Sequence, residues 1–490
     1  MRKASASTTL LFAICLGCVA HAAEQEQAAA VAALVTSYHD IDAFNGSALV
    51  ARNGKVLWKK GLGMADFEWS VPNTPDTKFR LGSITKQFTA TLVLQLIEEG
   101  KLSLDTKLAD ALPYYRQDTG SRVTIHQLLN HTSGIPSYTD LESFASEVSR
   151  DPYGVREFVE RFCSGDLQFE PGSAFRYDNS GYFLLGAIVE QVTGATYEAL
   201  LQQRIFGPLG MQASGYDRNG PILAKRARGY DQRLDGVRNT GYLDMSLPYA
   251  AGSLYSTVED LFRWDQALYG DTILPARAKE RMFTPGLEHY GYGWDIRRVP
   301  LGPGGAERTT IRHEGGINGF HTLIARVPED RHLVVLLNNT GGTSLEAISA
   351  GILDILYGRT PAAPRPSVAR ELYDVLRQGD VAAAVARYRE WKQARAEELD
   401  FGEAQLNRLG YELLEAQRPA EAIEFFRLNV EAFPESANAY DSLAEGYMAA
   451  GERTLSIKNY AKSLELDPQN RHAVAQLNEL LHEGVGVEAP

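Results

Sequence analysis

One stretch of this 490-residue chain carries the strongest prediction of its fold: Phe79-Arg80-Leu81-Gly82-Ser83-Ile84-Thr85-Lys86, followed by the apolar run Gln87–Ile97. From Ile84 onward the pattern is typical of a helix that is apolar almost all round and therefore buried, and Gly100 ends it. Ser83 and Lys86 are three residues apart, so on a helix they share a face. An ammonium group on the first turn of a buried helix is unfavourable unless it has a function.

Ser83 and Lys86 form a Ser-x-x-Lys pattern that occurs once in the chain. A desolvated lysine has a lowered pKa and can accept the serine proton, while the N-terminus of a helix favours developing negative charge. The alternative is that Ser83 only caps the helix and that Lys86 extends to the surface. The pattern is short and common, so it leaves both interpretations open.

A second informative stretch is Glu170–Tyr182, which opens with a Pro-Gly turn and leads into an apolar helix over Phe183–Val189. Tyr177 and Asn179 lie on the loop before that helix, where polar groups can converge on a site. A tyrosine near Lys86 is expected to have a lowered pKa and to relay protons, and Asn179 offers both donors and acceptors. The alternative is that Asn179 or Ser180 caps the helix and that Tyr177 packs its ring.

The third stretch runs from Ile311 to His321. His313 ends a β-like segment, and Gly315 and Gly316 follow, which lets backbone N–H groups approach a ligand closely. Two strands, Phe320–Val327 and His332–Asn338, are predicted to form a hairpin after it. The alternative is a bulge beside a structural histidine.

Other motifs limit the possible chemistry. His131 lies in a loop dense in turn formers, Asn130–Pro136, and is interpreted as bracing the loop rather than as a base. Cys163 is expected to be a small buried hydrophobe. The chain has no Gly-x-Ser-x-Gly elbow, which disfavours an α/β-hydrolase, and no paired Cys/His spacing, so neither a metal nor another cofactor is predicted.

Residues 1–23 are predicted to be a signal peptide. Arg2 and Lys3 form a basic start, Thr9–Ala20 is too short to span a bilayer, and small residues follow at the cleavage site. We therefore expect a periplasmic or secreted protein, with a lipid anchor at Cys18 as the less favoured alternative. No other stretch approaches the length of a membrane span, and a net charge of −13 argues against nucleic acid as a partner.

The C-terminal part is predicted to be a separate all-α region. Residues 360–367 form a proline-rich linker, and residues 368–490 follow as helical repeats. Five positions recur 34 residues later: Leu409, Leu413, Ile423, Phe426 and Pro434 correspond to Leu443, Tyr447, Ile457, Tyr460 and Pro468. This region resembles the tetratricopeptide repeat, so it either presents a groove to a protein partner or packs on the rest of the chain and stabilises it.

The three stretches together resemble the serine β-lactamase and penicillin-binding protein superfamily, in order and in rough spacing. The most similar branch is the class C β-lactamase-related one, which also holds serine esterases, D-aminopeptidases and DD-carboxypeptidases. The resemblance covers Val35 to Tyr357 and includes the framework stretches Asn130–Pro136 and Gly207–Met211. It implies an α/β (α+β) fold over residues 24–359, in which helices flank an antiparallel sheet and a helical region is inserted.

The resemblance also implies a role for each site residue. Ser83 would be the acylated nucleophile and Lys86 its proton acceptor. Tyr177 would share proton transfer and help to activate the deacylating water, and Asn179 would hold the substrate amide and orient Lys86. The backbone N–H groups of Ser83 and Gly316, next to Gly315, would form the oxyanion hole.

His313 departs from the class C pattern, which has lysine at this position. A histidine is mostly neutral near pH 7 and offers no permanent cation to a substrate carboxylate, and strand alternation is expected to point Arg312 away from the cleft. We therefore predict an exported serine hydrolase that acts on a small-molecule or peptide acyl substrate, an ester or a D-amino-acid-containing amide. The alternatives are a β-lactamase, and a penicillin-recognising sensor or scaffold with little turnover.

Overall fold

The computed structural model describes residues 6–482, and the side chains of residues 22–482. Arg2 and Lys3 of the predicted signal peptide lie outside the described residues. The chain divides into two compact units. The first contains the chain up to Gln232 and Arg238–Ala363, and the second contains Arg233–Val237 and the chain from Pro364 onward.

The first unit is built on a six-stranded antiparallel sheet. The strands of the described chain are β1 (Gly46–Arg52), β2 (Lys55–Leu62), β3 (Met64–Asp66), β4 (Val71–Pro72), β5 (Phe79–Arg80), β6 (Gly215–Tyr216), β7 (Tyr230–Arg233), β8 (Gly236–Asn239), β9 (Leu254–Ser256), β10 (Asp295–Val299), β11 (Arg308–Ile317), β12 (Phe320–Val327), β13 (His332–Asn338) and β14 (Thr340–Gly341). The central sheet has the order β10-β11-β12-β13-β1-β2, and all its neighbours are antiparallel. The hairpin of β12 and β13 has the predicted bounds.

Helices cover both faces of this sheet. In the first unit they are α1 (Ala6–Asp40), α2 (Thr85–Glu98), α3 (Leu108–Ala111), α4 (Gln117–Gly120), α5 (Ile125–Leu129), α6 (Val155–Phe162), α7 (Asn179–Thr193), α8 (Tyr197–Leu201), α9 (Gly207–Leu209), α10 (Tyr249–Gly252), α11 (Val258–Ala267), α12 (Ala276–Met282) and α13 (Glu346–Leu356). The segment between α2 and β10 contains the ten helices α3–α12 together with the short strands β6–β9, so the predicted helical region is inserted between the strands of the central sheet.

Strand alternation sorts the buried side chains into two cores. In β1, Leu49 and Ala51 belong to the core that includes α2 and α7, while Ala48 and Val50 belong to the core that includes α1 and α13. This follows from the two-residue period of a strand, which sends successive side chains to opposite faces. The fold class predicted from the sequence is therefore confirmed, with the sheet buried between helical layers.

The hairpin between β1 and β2 turns at Asn53-Gly54. Both residues have a positive φ, 53° and 75°, as the tight two-residue hairpin turn that Asn-Gly favours requires. No helix among residues 6–482 is long and apolar enough to cross a bilayer.

The second unit is helical beyond Pro364. Its helices are α14 (Val368–Gln378), α15 (Val381–Ala394), α16 (Glu403–Glu415), α17 (Pro419–Ala432), α18 (Ala437–Ala449), α19 (Arg453–Leu466) and α20 (Arg471–His482). Helix α18 begins 34 positions after α16, and α19 begins 34 positions after α17. The repeating helix pairs are therefore present, while their assignment to the tetratricopeptide family stays a prediction.

Candidate active site

Ser83 lies in a single 3-10 turn, Gly82–Ile84, two residues before Thr85, the first residue of α2. Gly82 has a φ of +54°, and a side chain there would meet the backbone of Gly316 at 2.9 Å. Only glycine satisfies both the left-handed conformation and this close approach. The turn that carries Ser83 is therefore held against strand β11.

Lys86 is fully buried and donates three hydrogen bonds. Its Nζ lies 3.0 Å from Ser83 Oγ, 2.8 Å from Asn179 Oδ1 and 3.1 Å from the carbonyl oxygen of Ala251. Burial lowers the pKa of Lys86 to about 7, although the nearby carboxylate of Asp178 opposes this. A neutral amine here keeps two N–H bonds to Asn179 and Ala251 and turns its lone pair toward the Ser83 hydroxyl.

Tyr177 stands on the open side of Lys86, with its ring centroid 4.8 Å from Nζ. Burial raises the pKa of Tyr177, whereas its contact with Ser83 lowers it. Because 37% of the residue is exposed, solvent limits this increase. The expectation of a lowered pKa is therefore wrong: the phenol stays protonated and is a hydrogen-bond donor at neutral pH.

The loop around Tyr177 is braced by His131. The backbone N–H of Arg176 donates to the carbonyl oxygen of His131 at 2.9 Å, and the N–H of Asp178 donates to His131 Nδ1 at 3.2 Å. The imidazole ring also packs on the Tyr177 ring, with centroids 4.3 Å apart. His131 thus holds the residues on both sides of Tyr177, as the bracing interpretation predicts.

The cap of helix α7 is Asp178, which accepts a hydrogen bond from the N–H of Gly181. The alternative that Asn179 or Ser180 caps this helix is therefore wrong by one or two positions. Because the Asp178 side chain accepts the hydrogen bond at the N-terminus of α7, the Asn179 side chain is not needed as a cap. Its amide oxygen accepts from Lys86, and its amide nitrogen donates to Thr139 Oγ1 at 3.2 Å.

His313 is buried in the same cleft, with its ring centroid 6.1 Å from that of Tyr177. Its Nδ1 lies 2.5 Å from the carbonyl oxygen of Glu314, so this nitrogen carries the proton, and its Nε2 accepts from the Tyr290 hydroxyl at 2.8 Å. Burial and the charge of Lys86 lower the pKa of His313 to about 3. The imidazole is therefore neutral, and both its nitrogens are engaged by groups other than Ser83.

Tyr290 was not predicted from the sequence. It is buried beside His131 and His313, with ring centroids 4.7 and 5.7 Å away. The available signal was the alternation of aromatic residues and glycine in Tyr290-Gly291-Tyr292-Gly293-Trp294. Ala251 was also missed, because it contributes only a backbone carbonyl that leaves no mark in the sequence.

The two glycines after His313 have different surroundings. A side chain on Gly315 would lie 1.9 Å from the carbonyl oxygen of Leu81, whereas one on Gly316 would meet no atom within 4 Å. Thr322 Oγ1 also donates to the Leu81 carbonyl at 2.7 Å. Gly315 is thus needed for the docking of β11 onto the Ser83 turn, and Gly316 borders open space.

Arg312 pairs across the sheet with Ala325, which belongs to the core of α1 and α13, so its side chain lies on the face opposite His313, as strand alternation predicts. Its guanidinium is 2.9 Å from Glu346 and 3.6 Å from Asp295, so its charge is paired. Among the described residues, the group with the spacing of metal ligands is Asp441, Glu445 and His472, in the second unit.

Comparison with known proteins gives consistent matches. A family described as Beta-lactamase matches residues 29–358. The esterase EstB of Burkholderia gladioli is 30% identical over 363 residues, which cover 64% of this chain and 90% of that protein. A penicillin binding protein from Bacillus halodurans is 30% identical, with a TM-score of 0.58, over 65% of this chain and 98% of its own. The D-amino acid amidase from Ochrobactrum anthropi SV3 is 27% identical, with a TM-score of 0.58, over 68% of this chain and 97% of its own.

Proposed function

Since the chain belongs to the β-lactamase family, we propose that it is an exported serine hydrolase that forms an acyl-enzyme on Ser83 with an ester or a D-amino-acid-containing amide. The observation that carries this proposal is the buried Lys86 amine, 3.0 Å from Ser83 Oγ. Two fixed acceptors, Asn179 and Ala251, leave its lone pair directed at the serine.

Acylation begins when Ser83 Oγ attacks the substrate carbonyl carbon and its proton passes to Lys86 Nζ. Negative charge then develops on the carbonyl oxygen. The N–H of Ser83, at the start of α2, and the N–H of Gly316, on the adjoining strand, are the donors that we assign to this oxyanion. One such donor is typically worth about 3–4 kcal/mol in the transition state.

Collapse of the tetrahedral intermediate expels the leaving group, which must be protonated. We assign this proton transfer to the protonated Tyr177 phenol, and Lys86, whose Nζ lies 4.8 Å from the centroid of the Tyr177 ring, then returns a proton to the phenol. A water molecule then attacks the ester carbonyl carbon and gives its proton to the same pair. The bond between the acyl carbon and Ser83 Oγ breaks, the pair returns the proton to Ser83 Oγ, and the acid leaves. Asn179 keeps the amine oriented and presents its amide to the substrate.

The neutral state of His313 bears on the choice of substrate. No permanent cation is available at this position for the carboxylate that β-lactams carry. The similarity to an esterase and to a D-amino acid amidase supports the same choice. We therefore propose β-lactam hydrolysis only as the second candidate function, after hydrolysis of an ester or a D-amino-acid-containing amide.

The pH profile should show the titration of Lys86. The amine must be neutral to accept the serine proton, so kcat/KM is expected to fall as pH drops through about 7, where burial places the pKa of Lys86. The measurement is the hydrolysis of p-nitrophenyl acetate from pH 5 to 9. His313→Gln is the matched control: the limb near pH 7 should persist, because His313 is already neutral there. Disappearance of the limb in that variant would assign the base to the imidazole.

A substrate panel tests the proposed function against its alternatives. It should contain p-nitrophenyl acetate, a D-aminoacyl amide, a D-Ala-D-Ala peptide and a cephalosporin. We expect steady-state turnover of the ester or the D-aminoacyl amide, and slower or no turnover of the cephalosporin. A single burst of product without a steady state would instead favour a sensor that acylates once, and efficient cephalosporin turnover would favour a β-lactamase.

Export and partner binding extend the proposal. Export rests on the basic start and short apolar core of residues 1–23, and the mature protein would then begin at Ala23 or Glu24. The repeating helix pairs of the second unit are our candidate surface for a protein partner.

A further inference from the structure

A cavity of about 360 Å³ opens beside Tyr177 and His313 in the first unit. Because these two residues also border the candidate site, a substrate held at Ser83 can extend into this cavity. Its lining combines aromatic rings with charged side chains, and each of these two groups favours the same kind of ligand.

The aromatic part consists of Phe175, Tyr177 and Tyr290. The ring centroid of Tyr290 lies 5.8 Å from that of Phe175 and 6.0 Å from that of Tyr177, so three rings meet around one corner of the cavity. Aromatic faces carry partial negative charge and attract cations, and rings arranged around a pocket are a common way to recognise ammonium groups.

The charged part has more carboxylates than guanidinium groups. Arg297 is held by Asp295 through hydrogen bonds of 2.9 and 3.0 Å, and Arg312 is held by Glu346 at 2.9 Å. The two other carboxylates of the lining are Glu288 and Glu314. His321 lies 3.2 Å from Glu314 and partly compensates it.

Glu288 is therefore the least compensated charge of the cavity. Among the described residues, none forms a hydrogen bond or ion pair with its carboxylate. Its charge contributes only the smallest of the effects that raise the pKa of Arg297. The lining contains no lysine, and the imidazole of His313 is neutral with both nitrogens hydrogen-bonded, so neither residue type supplies a positive charge near Glu288. A carboxylate without a partner, in a cavity that three aromatic rings also line, attracts a positive charge and repels a negative one.

We propose that this cavity binds a positively charged ammonium group of the substrate and discriminates against substrates that carry a carboxylate there. The proposal rests on the proposed hydrolysis at Ser83 and narrows its substrate class to cationic esters and amides. Glu288 is the residue that determines the charge preference, and the rings of Phe175 and Tyr290 complete the pocket.

The test compares cationic substrates with neutral isosteres of the same shape. One pair places the charge in the leaving group: acetylthiocholine and S-(3,3-dimethylbutyl) thioacetate. The other places it in the acyl group: p-nitrophenyl 4-(trimethylammonio)butanoate and p-nitrophenyl 5,5-dimethylhexanoate. Each kcat/KM is divided by the rate of alkaline hydrolysis of the same ester. We expect the cation to be favoured at least about fivefold in one pair, and Glu288→Gln to remove most of that preference.

The matched control is Glu280→Gln, which removes an exposed carboxylate of α12 that does not line the cavity. It should keep the wild-type preference. Equal rates for cation and isostere in both pairs, or the same ratio in both glutamine variants, would overturn the proposal.

A binding measurement separates this proposal from the proposed function. Ser83→Ala is titrated with choline and with its neutral isostere 3,3-dimethylbutan-1-ol by calorimetry, with and without Glu288→Gln. Tighter binding of choline that depends on Glu288 supports the ammonium pocket even if no ester is turned over, in which case the hydrolase proposal alone fails. Equal binding of the two probes contradicts the ammonium pocket whatever the enzyme hydrolyses.

Discussion

Ser83→Ala is expected to lower kcat/KM for p-nitrophenyl acetate by at least about 10³-fold and to abolish labelling by a fluorophosphonate. The substitution removes the Ser83 hydroxyl, whose oxygen lies 3.0 Å from Lys86 Nζ and is the proposed nucleophile. Activity that survives would come from substrate binding and the backbone donors alone. The measurement is steady-state hydrolysis together with in-gel fluorescence of the labelled protein.

Ser137→Ala is the matched control for this variant. Ser137 Oγ accepts from the N–H of Asn179 at 3.0 Å, so it lies beside the site without touching Lys86. We expect it to keep its label and to lose less than about tenfold in kcat/KM, the scale of one neutral hydrogen bond. Equal loss in both variants would mean that the region, and not the Ser83 hydroxyl, is what the reaction needs.

Lys86→Met is expected to lower kcat/KM by about 10²–10⁴-fold, the usual contribution of a general base. Methionine has a similar length and is apolar, so it suits a position that is fully buried. Lys86→Arg should not restore activity, because a guanidinium stays protonated at neutral pH and cannot take the serine proton. Thermal melting of both variants checks that the fold persists.

The Lys86→Met result also distinguishes the candidate bases. If more than about a tenth of the activity remained while the limb near pH 7 was unchanged, the base would be another group. Tyr177 and His313 are the other titratable groups of the cleft that we assigned from the sequence. Burial raises the pKa of the first and lowers that of the second, so neither is suited to that role near pH 7.

Local sequence patterns predicted the elements that depend on local rules. The apolar run after Ser83 is a buried helix, and the two apolar segments Phe320–Val327 and His332–Asn338 form a hairpin of two central strands. In each case the period of the apolar residues and the turn chemistry act over a few neighbouring positions.

Features that depend on distant contacts were not predictable in the same way. Tyr290 binds His313 across 23 positions, and Ala251 binds Lys86 through a backbone carbonyl 165 positions away. The direction of the Tyr177 pKa shift depends on how much protein surrounds the phenol, which the sequence of its loop does not encode. The cap of α7 differed because Asp178, Asn179 and Ser180 are all good capping residues, and only the structure shows which one has the extended backbone of a cap.

The most direct test of the account is to locate the acyl group. The wild-type enzyme is mixed with a fluorophosphonate or a slow ester, quenched in acid within seconds, digested with trypsin and analysed by fragmentation mass spectrometry. Cleavage after Arg80 and Lys86 yields the peptide Leu81–Lys86, and the account predicts the adduct on Ser83 within it. An adduct on any other residue, with Leu81–Lys86 recovered unmodified, would contradict it.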